Sequence, residues 1–299
     1  FQQNLPITPI TDIKVYRDDL VISTMGRGFW VLDNLTPLYA PNFGLHMTQL
    51  YKPKDTYRMK HPKTGGDLYP RPAMFFDYFI ADTVNTPIRL QIENAAGETL
   101  NAYVSDKWDV TDTIGNMDMS STTYLLDQSL SRSVGHHRFK WDMRHLGPWD
   151  VRDRRSYKNG PQVASGDYRV KLTVGETVYI QNFTLLTDPR ILSLGVTEAE
   201  IKQQEALGLE LIKLLTEVRK YIHGLEQEKK SAKGARLEYI QAQLGSFVME
   251  EGIYMQPKII NQIEYLYASI NGSDQLPSRD AYARFSKLKA LVESTKSQN

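Results

Sequence analysis

Residues 19–34 read DLVISTMGRGFWVLDN, two short β-patterned runs flanking a glycine-bearing turn. Val21 and Ser23 alternate with Ile22 and Thr24, and Phe29, Val31 and Asp33 alternate with Trp30 and Leu32, the period of a pleated strand. Gly26 and Gly28 can take positive φ without a Cβ clash, so the chain can reverse between the runs. A further run, DIKVY at 12–16, precedes them across the turn residues Arg17 and Asp18. Together these runs predict an antiparallel meander over the first zone, residues 1–46. A meander of that size buries one face at most and is marginal alone. Its missing neighbours are therefore the first thing to account for.

Residues 47–74, rich in Pro, Lys, Gly and Tyr, carry no sustained period and read as a connector. The zone 75–190 is again β, with candidate strands at 75–80, 87–93, 99–104, 137–142, 167–174 and 177–186. Tyr168, Val170, Leu172 and Val174 share one face and Arg169, Lys171 and Thr173 the other, the pattern of a half-buried strand. Short strands at this spacing predict a β-sandwich of about 110 residues. The polar stretch 106–131 reads as a long loop.

The zone 197–299 switches to helical periodicity. Thr197 and Glu200 form a capping box. Leu211, Leu215, Val218, Ile222 and Leu225 make one apolar stripe, and Leu237, Ile240, Leu244 and Phe247 a second. A third starts at Pro257, carries Ile259, Ile263, Leu266 and Ile270, and stops at Asn271-Gly272. Tyr282, Phe285, Leu288 and Val292 mark a fourth. Short loops between such stripes predict a C-terminal antiparallel helical bundle. The stripes read as core, not as a cofactor box.

Composition excludes several classes. Lys and Arg number 36 against 35 Asp and Glu, a net charge of +1, so no global field attracts nucleic acid or an anionic membrane. No apolar run is long enough to span a bilayer. The absence of cysteine removes disulfides, thiol nucleophiles and thiolate metal sites. The opening FQQNLPITPI has no Met, no basic region and no apolar core, so it reads as the interior of a longer polypeptide rather than a signal peptide or a native start.

Four segments together resemble one family: residues 19–38, HHRFKWDMRHLGP at 136–148, SGDYRVKLTVGETVYIQNFTLLTDPR at 165–190, and 257–285. They are similar to the C-terminal part of large secreted proteins of Bacteroidota type that carry sortilin-like or BNR-repeat β-propellers and are grouped as glycosyl-hydrolase-like. In that family a strand pair of the form found at 19–33 ends the propeller, and a β-sandwich and helical tail follow. The resemblance implies that residues 1–46 are the last, incomplete blade, with the remainder of the propeller upstream. The sandwich also resembles the immunoglobulin-like modules of flagellar hook-capping proteins.

No candidate site carries an assembled chemistry. Arg27, Phe29 and Trp30 could form a sugar platform, stacking beside a bidentate donor, against the simpler reading that the rings pack on opposite faces of an inner strand. Asp33 resembles the acidic residue of an Asp-box turn, but the full Ser/Thr-x-Asp-x-Gly-x-Thr-Trp signature is absent, which favours an ordinary turn cap. His136, His137, His145 and Asp142 suggest a metal only superficially, because on a strand His137 and Asp142 point to opposite faces. Asp106, Asp109, Asp112 and Asp118, with Gly115 and Asn116, lack the EF-hand register and read as a solvated acidic loop, the one place where Ca²⁺ would bind.

There is no phosphate loop, nucleophile elbow, HExxH motif or assignable pair of glycosidase carboxylates. Asp82-Thr83-Val84 and Asp112-Thr113-Ile114 resemble Bacteroidota O-glycosylation sites. Asn34, Asn182 and Asn271 begin N-glycosylation tripeptides.

The reading is therefore a non-catalytic C-terminal scaffold of a secreted, periplasmic or outer-surface propeller protein, with no cofactor. Its partners are the rest of its own propeller and a protein or glycan, but neither nucleic acid nor a membrane span. The alternative is an accessory part of a glycoside hydrolase or peptidase whose active site lies in the upstream propeller.

Overall fold

Arg17 and Asp18 both adopt positive φ, 49° and 59°. Two such residues make the tight turn whose twist matches that of its flanking strands. That turn folds β1 (Ile10–Tyr16) onto β2 (Asp19–Thr24), and the Gly26/Gly28 turn folds β2 onto β3 (Phe29–Leu32). These strands form their own three-stranded sheet in the computed structural model, which describes residues 4–60, 72–105, 113–114, 117–118, 130–150, 160–249, 252 and 255–297.

After a 3-10 turn at Thr36–Tyr39, the stretch read as a connector proves to contain two short strands, β4 (Gln49–Leu50) and β5 (Thr56–Arg58). They belong to different sheets, so the chain crosses between layers at Lys52–Asp55. The remaining strands are β6 (Met74–Ile80), β7 (Arg89–Asn94), β8 (Thr99–Val104), β9 (Thr113–Ile114), β10 (Met117–Asp118), β11 (Gly135–Trp141), β12 (Gly166–Val174) and β13 (Thr177–Thr187). β9 and β10 pair with each other inside the stretch expected to be loop.

One sheet runs β11-β6-β4 and the other β5-β13-β12-β7-β8. Every pairing is antiparallel except β5 beside β13. The two sheets enclose one apolar cluster. Met74, Phe76, Tyr78 and Ile80 of β6 and Phe139 and Trp141 of β11 face Leu90, Ile92, Val170, Leu172, Phe183 and Leu185. Tyr168, at the start of β12, donates its hydroxyl to the Ala164 carbonyl at 2.9 Å, tying the strand to the loop that leads into it.

Five helices follow: α1 (Pro189–Ser193), α2 (Glu198–Lys229), α3 (Ala235–Phe247), α4 (Ile259–Ile270) and α5 (Arg279–Ser297). The capping box forms, with Thr197 Oγ1 accepting from the Glu200 amide at 3.3 Å and Glu200 Oε2 accepting from the Thr197 amide at 2.8 Å. The stripe from Leu211 to Leu225 is buried, as are Ile259, Ile263, Leu266 and Ile270. In α5 the buried positions are Ala281, Leu288, Val292 and Thr295, whereas Tyr282 is 39% exposed. The helix therefore starts its core face one residue earlier than its largest apolar side chain suggests.

Two features fasten the helices to the sheets. Gly208, in mid-helix, faces Pro161 so closely that a Cβ there would lie 3.0 Å from the proline Cβ. Arg58 of β5 is fully buried against Asp274 at 3.1 Å, and its guanidinium also donates to Gln162 Oε1 and the Val163 carbonyl. Lys60 adds a second cation 3.3 Å from Asp274; burial holds its ammonium below the ordinary lysine range, while Asp274 acts in the opposite sense.

Removing one partner of a buried pair strands the other charge. Arg58→Ala should therefore cost about 3–5 kcal/mol in chemical denaturation. Arg58→Met with Asp274→Leu should recover most of that loss. A single-mutant cost within about 0.5 kcal/mol of wild type would contradict this account.

Candidate interaction surface

The register of the meander places Ile13, Val15, Leu20, Ile22, Trp30 and Leu32 on one face and a mixed set including Lys14, Val21, Phe29 and Val31 on the other. Apart from Thr24 at its edge this face is apolar, yet Ile13 and Val15 are 57% and 58% exposed. Of the 24 exposed large apolar side chains in the described residues, 13 precede residue 48, so the uncovered surface is concentrated here rather than scattered.

Arg27, Phe29 and Trp30 sit at one end of this sheet. Trp30 Nε1 donates to the Arg27 carbonyl at 3.0 Å and fixes the indole against the turn. Phe29 is 80% exposed on the opposite face. The rings of Phe29 and Trp30 therefore do not share a platform, as expected for neighbours on a strand. Asp33, also exposed, has no side-chain hydrogen bond or ion pair among the described residues.

The attachment of the meander to the two-sheet unit runs through a residue that sequence reading treated only as part of a glycosylation tripeptide. Asn34 is 5% exposed and takes φ of 61°, a left-handed conformation that Asn tolerates better than most side chains. Its amide donates to Asp19 Oδ1 at 2.8 Å, its Nδ2 to Asp77 Oδ2 at 2.8 Å, and its Oδ1 accepts from the Thr36 hydroxyl at 2.7 Å.

Asp77 lies on the outer face of β6, opposite Arg138 in the β11 register. The pair is bidentate at 2.7 and 3.0 Å, and the guanidinium also stacks on Phe75. Lys54 closes the chain on Asp19 at 2.9 Å. Thus Lys54, Asp19, Asn34, Asp77 and Arg138 form one continuous polar seam between the meander and the sheets.

Beyond this seam the outer face of β6 and β11 carries an aromatic cluster. His136 packs 4.6 Å from Phe79, 5.3 Å from Phe43 and, nearly parallel, 5.9 Å from Tyr51. Burial and the neighbouring His137 hold its imidazole below the ordinary histidine range. The three histidines considered as metal ligands have separate partners: His137 contacts the Ser133 carbonyl at 2.7 Å, and His145 Nε2 donates to Glu205 Oε1 at 2.6 Å. Among the described residues no group of three His, Asp or Glu is placed to hold a metal. The acidic-loop candidates Asp106, Asp109 and Asp112, with Gly115 and Asn116, lie outside the described residues, as does the side chain of Asp118.

No protein-family model and no curated protein matches the chain. Among solved structures it is similar to PorZ, described as an essential bacterial surface component of the type-IX secretion system of Porphyromonas gingivalis. The likeness has 14% identity and a TM-score of 0.21, covering 60% of this chain and 23% of that one. The chain thus spans less than a quarter of that protein, and so low a TM-score establishes neither fold nor role.

Two outcomes test the seam and the cluster. Asn34→Ala should cost about 2–4 kcal/mol, from left-handed strain and the orphaned Asp77 and Asp19 acceptors, and open residues 35–47 to limited proteolysis. Asn34→Gly, which keeps the backbone free, should cost about half as much, and equal resistance of both variants to protease would count against the seam.

His136 binds fewer protons folded than unfolded, so its contribution favours the folded state above about pH 6.5 and declines as pH falls toward its folded value. NMR titration should place its midpoint below the ordinary range, and Phe43→Ala should raise it. A midpoint at or above about 6.5 would refute the assignment.

Proposed function

We propose that the chain is a non-catalytic C-terminal scaffold of a secreted or cell-surface protein. In this reading its first 46 residues are the last blade of a β-propeller whose remaining blades cover the exposed meander. Residues 75–190 form an immunoglobulin-like sandwich, and 197–299 an antiparallel helical bundle.

The observation that carries the reading is the apolar face of the meander: among the described residues Ile13 and Val15 are exposed and Leu20, Ile22, Trp30 and Leu32 only half-buried, while both neighbouring apolar cores are filled. Sheet faces of that composition are covered by another sheet or helix layer, since leaving them wet forfeits about 25 cal/mol for each Å². Both edges of the meander are likewise unpaired among the described residues, which invites strand addition.

The sandwich reading rests on topology. A first strand shared between the layers, with β5 parallel to the last strand, and sheets of three and five strands are what an immunoglobulin-type arrangement looks like. The hydroxyl of Tyr168 on the Ala164 carbonyl has the form of the tyrosine corner found in such domains. The surface-protein assignment follows the family resemblance of residues 19–38 and 165–190.

The test is to recover the native protein from its source with an antibody to α2 and determine its intact mass, N-terminus and amide exchange. The expected result is a larger polypeptide, or a co-purifying second fragment, in which β1–β3 amides are protected well beyond those of the isolated chain. A native protein with the mass of this chain and freely exchanging β1 amides would overturn the reading.

A further inference from the structure

The seam that joins the meander to the sheets roofs a cleft of about 830 Å³, within the size of small-ligand sites. Its walls are the turn at Tyr16–Asp19, the exit of β3 at Asp33 and Asn34, and the crossing segment Lys52–Tyr57. One set of the polar groups that build the walls is already committed: Lys54 and the Asn34 amide to Asp19, and Asp55 to the Thr184 amide.

A second set is not. Arg17, Asp18, Asp33, Lys52 and Tyr57 line the same cleft, and their side chains have no hydrogen-bond or ion-pair partner among the described residues. Arg17 only rests over the ring of Tyr16, at 5.4 Å from its centroid. Carboxylates and cations thus share one concave surface without neutralising each other.

We propose that this cleft binds a neutral oligosaccharide, with Asp18, Asp33 and Lys52 bonding to hydroxyls and the tyrosine ring at the rim packing on a sugar face. The chemistry selects this class. Four carboxylates against three cations in the lining disfavour a polyanion such as nucleic acid. So many polar side chains disfavour an apolar ligand, because each would lose its hydration without gaining a bond. Sugar hydroxyls donate and accept at every position, so they satisfy free carboxylates and free cations together. Tyr16 offers an exposed ring for the apolar CH face of the same ligand.

The site is separate from Arg27, Phe29 and Trp30.

Saturation-transfer NMR on the full chain with maltotriose, cellotriose, mannotriose and chitotriose tests the proposal. The expected result is transfer from at least one probe at about millimolar concentration, weakened about tenfold by Asp33→Ala with Lys52→Ala and again by Tyr16→Ala. None of these side chains has a hydrogen-bond or ion-pair partner among the described residues, so thermal melts should stay at the wild-type value. Silence from all four probes overturns the proposal. So does binding that survives the double substitution or moves to Arg27→Ala and Phe29→Ala, or preference for trigalacturonate over the neutral probes.

Discussion

The molecule turns on a carboxylate kept in a place where water barely reaches it. Asp77 projects from the outer face of β6 and is 8% exposed. An ion so placed is tolerated only when its oxygens are spoken for. Arg138 supplies two bonds from across the ladder, and Asn34 supplies the third. Because Asn34 also receives the 3-10 turn and reaches Asp19, satisfying one charge fixes where the whole N-terminal meander stands relative to the sheets. The stretch MFFDYFI follows from this arrangement. Its outward residues Asp77 and Phe79 are buried as its inward ones are, and Phe75 is half-buried, which is why burial there barely alternates.

Elements with a long period were legible in the sequence, and elements held by distant partners were not. The Leu211–Leu225 stripe spans several turns and states its own inner face; so does the alternation of β12. β4 and β5, at two and three residues, are too short to show any period, and only their partners in β6 and β13 make them strands. Asn34 was legible only as the start of a glycosylation tripeptide, since its partner Asp77 lies 43 residues away. Gly208 left a trace that could have been read. A glycine inside an otherwise strong helix costs stability relative to alanine and so implies close packing, here with Pro161.

The sequence already contained the reason why Phe29 and Trp30 present their rings to opposite faces of the meander: adjacent strand residues point apart. The cleft beside the seam was invisible for the opposite reason. It is assembled from short segments spread over residues 16–75, with Leu186, each unremarkable alone, and becomes a surface only once Asn34 has brought them together.

The parallel pairing of β5 with β13 has a mechanical meaning. The chain enters the two-sheet unit through β4 and passes directly into β5, and the helices leave it from β13. Tension applied between those two sides pulls the parallel strands lengthwise past each other. Their ladder bonds are then loaded in shear and must fail together, whereas an antiparallel pair pulled from its open end peels one bond at a time. Arg58, at the last residue of that ladder and clamped to Asp274, carries the same load into the helices. A chain that joins two bodies in this way behaves as a stiff coupling rather than a hinge.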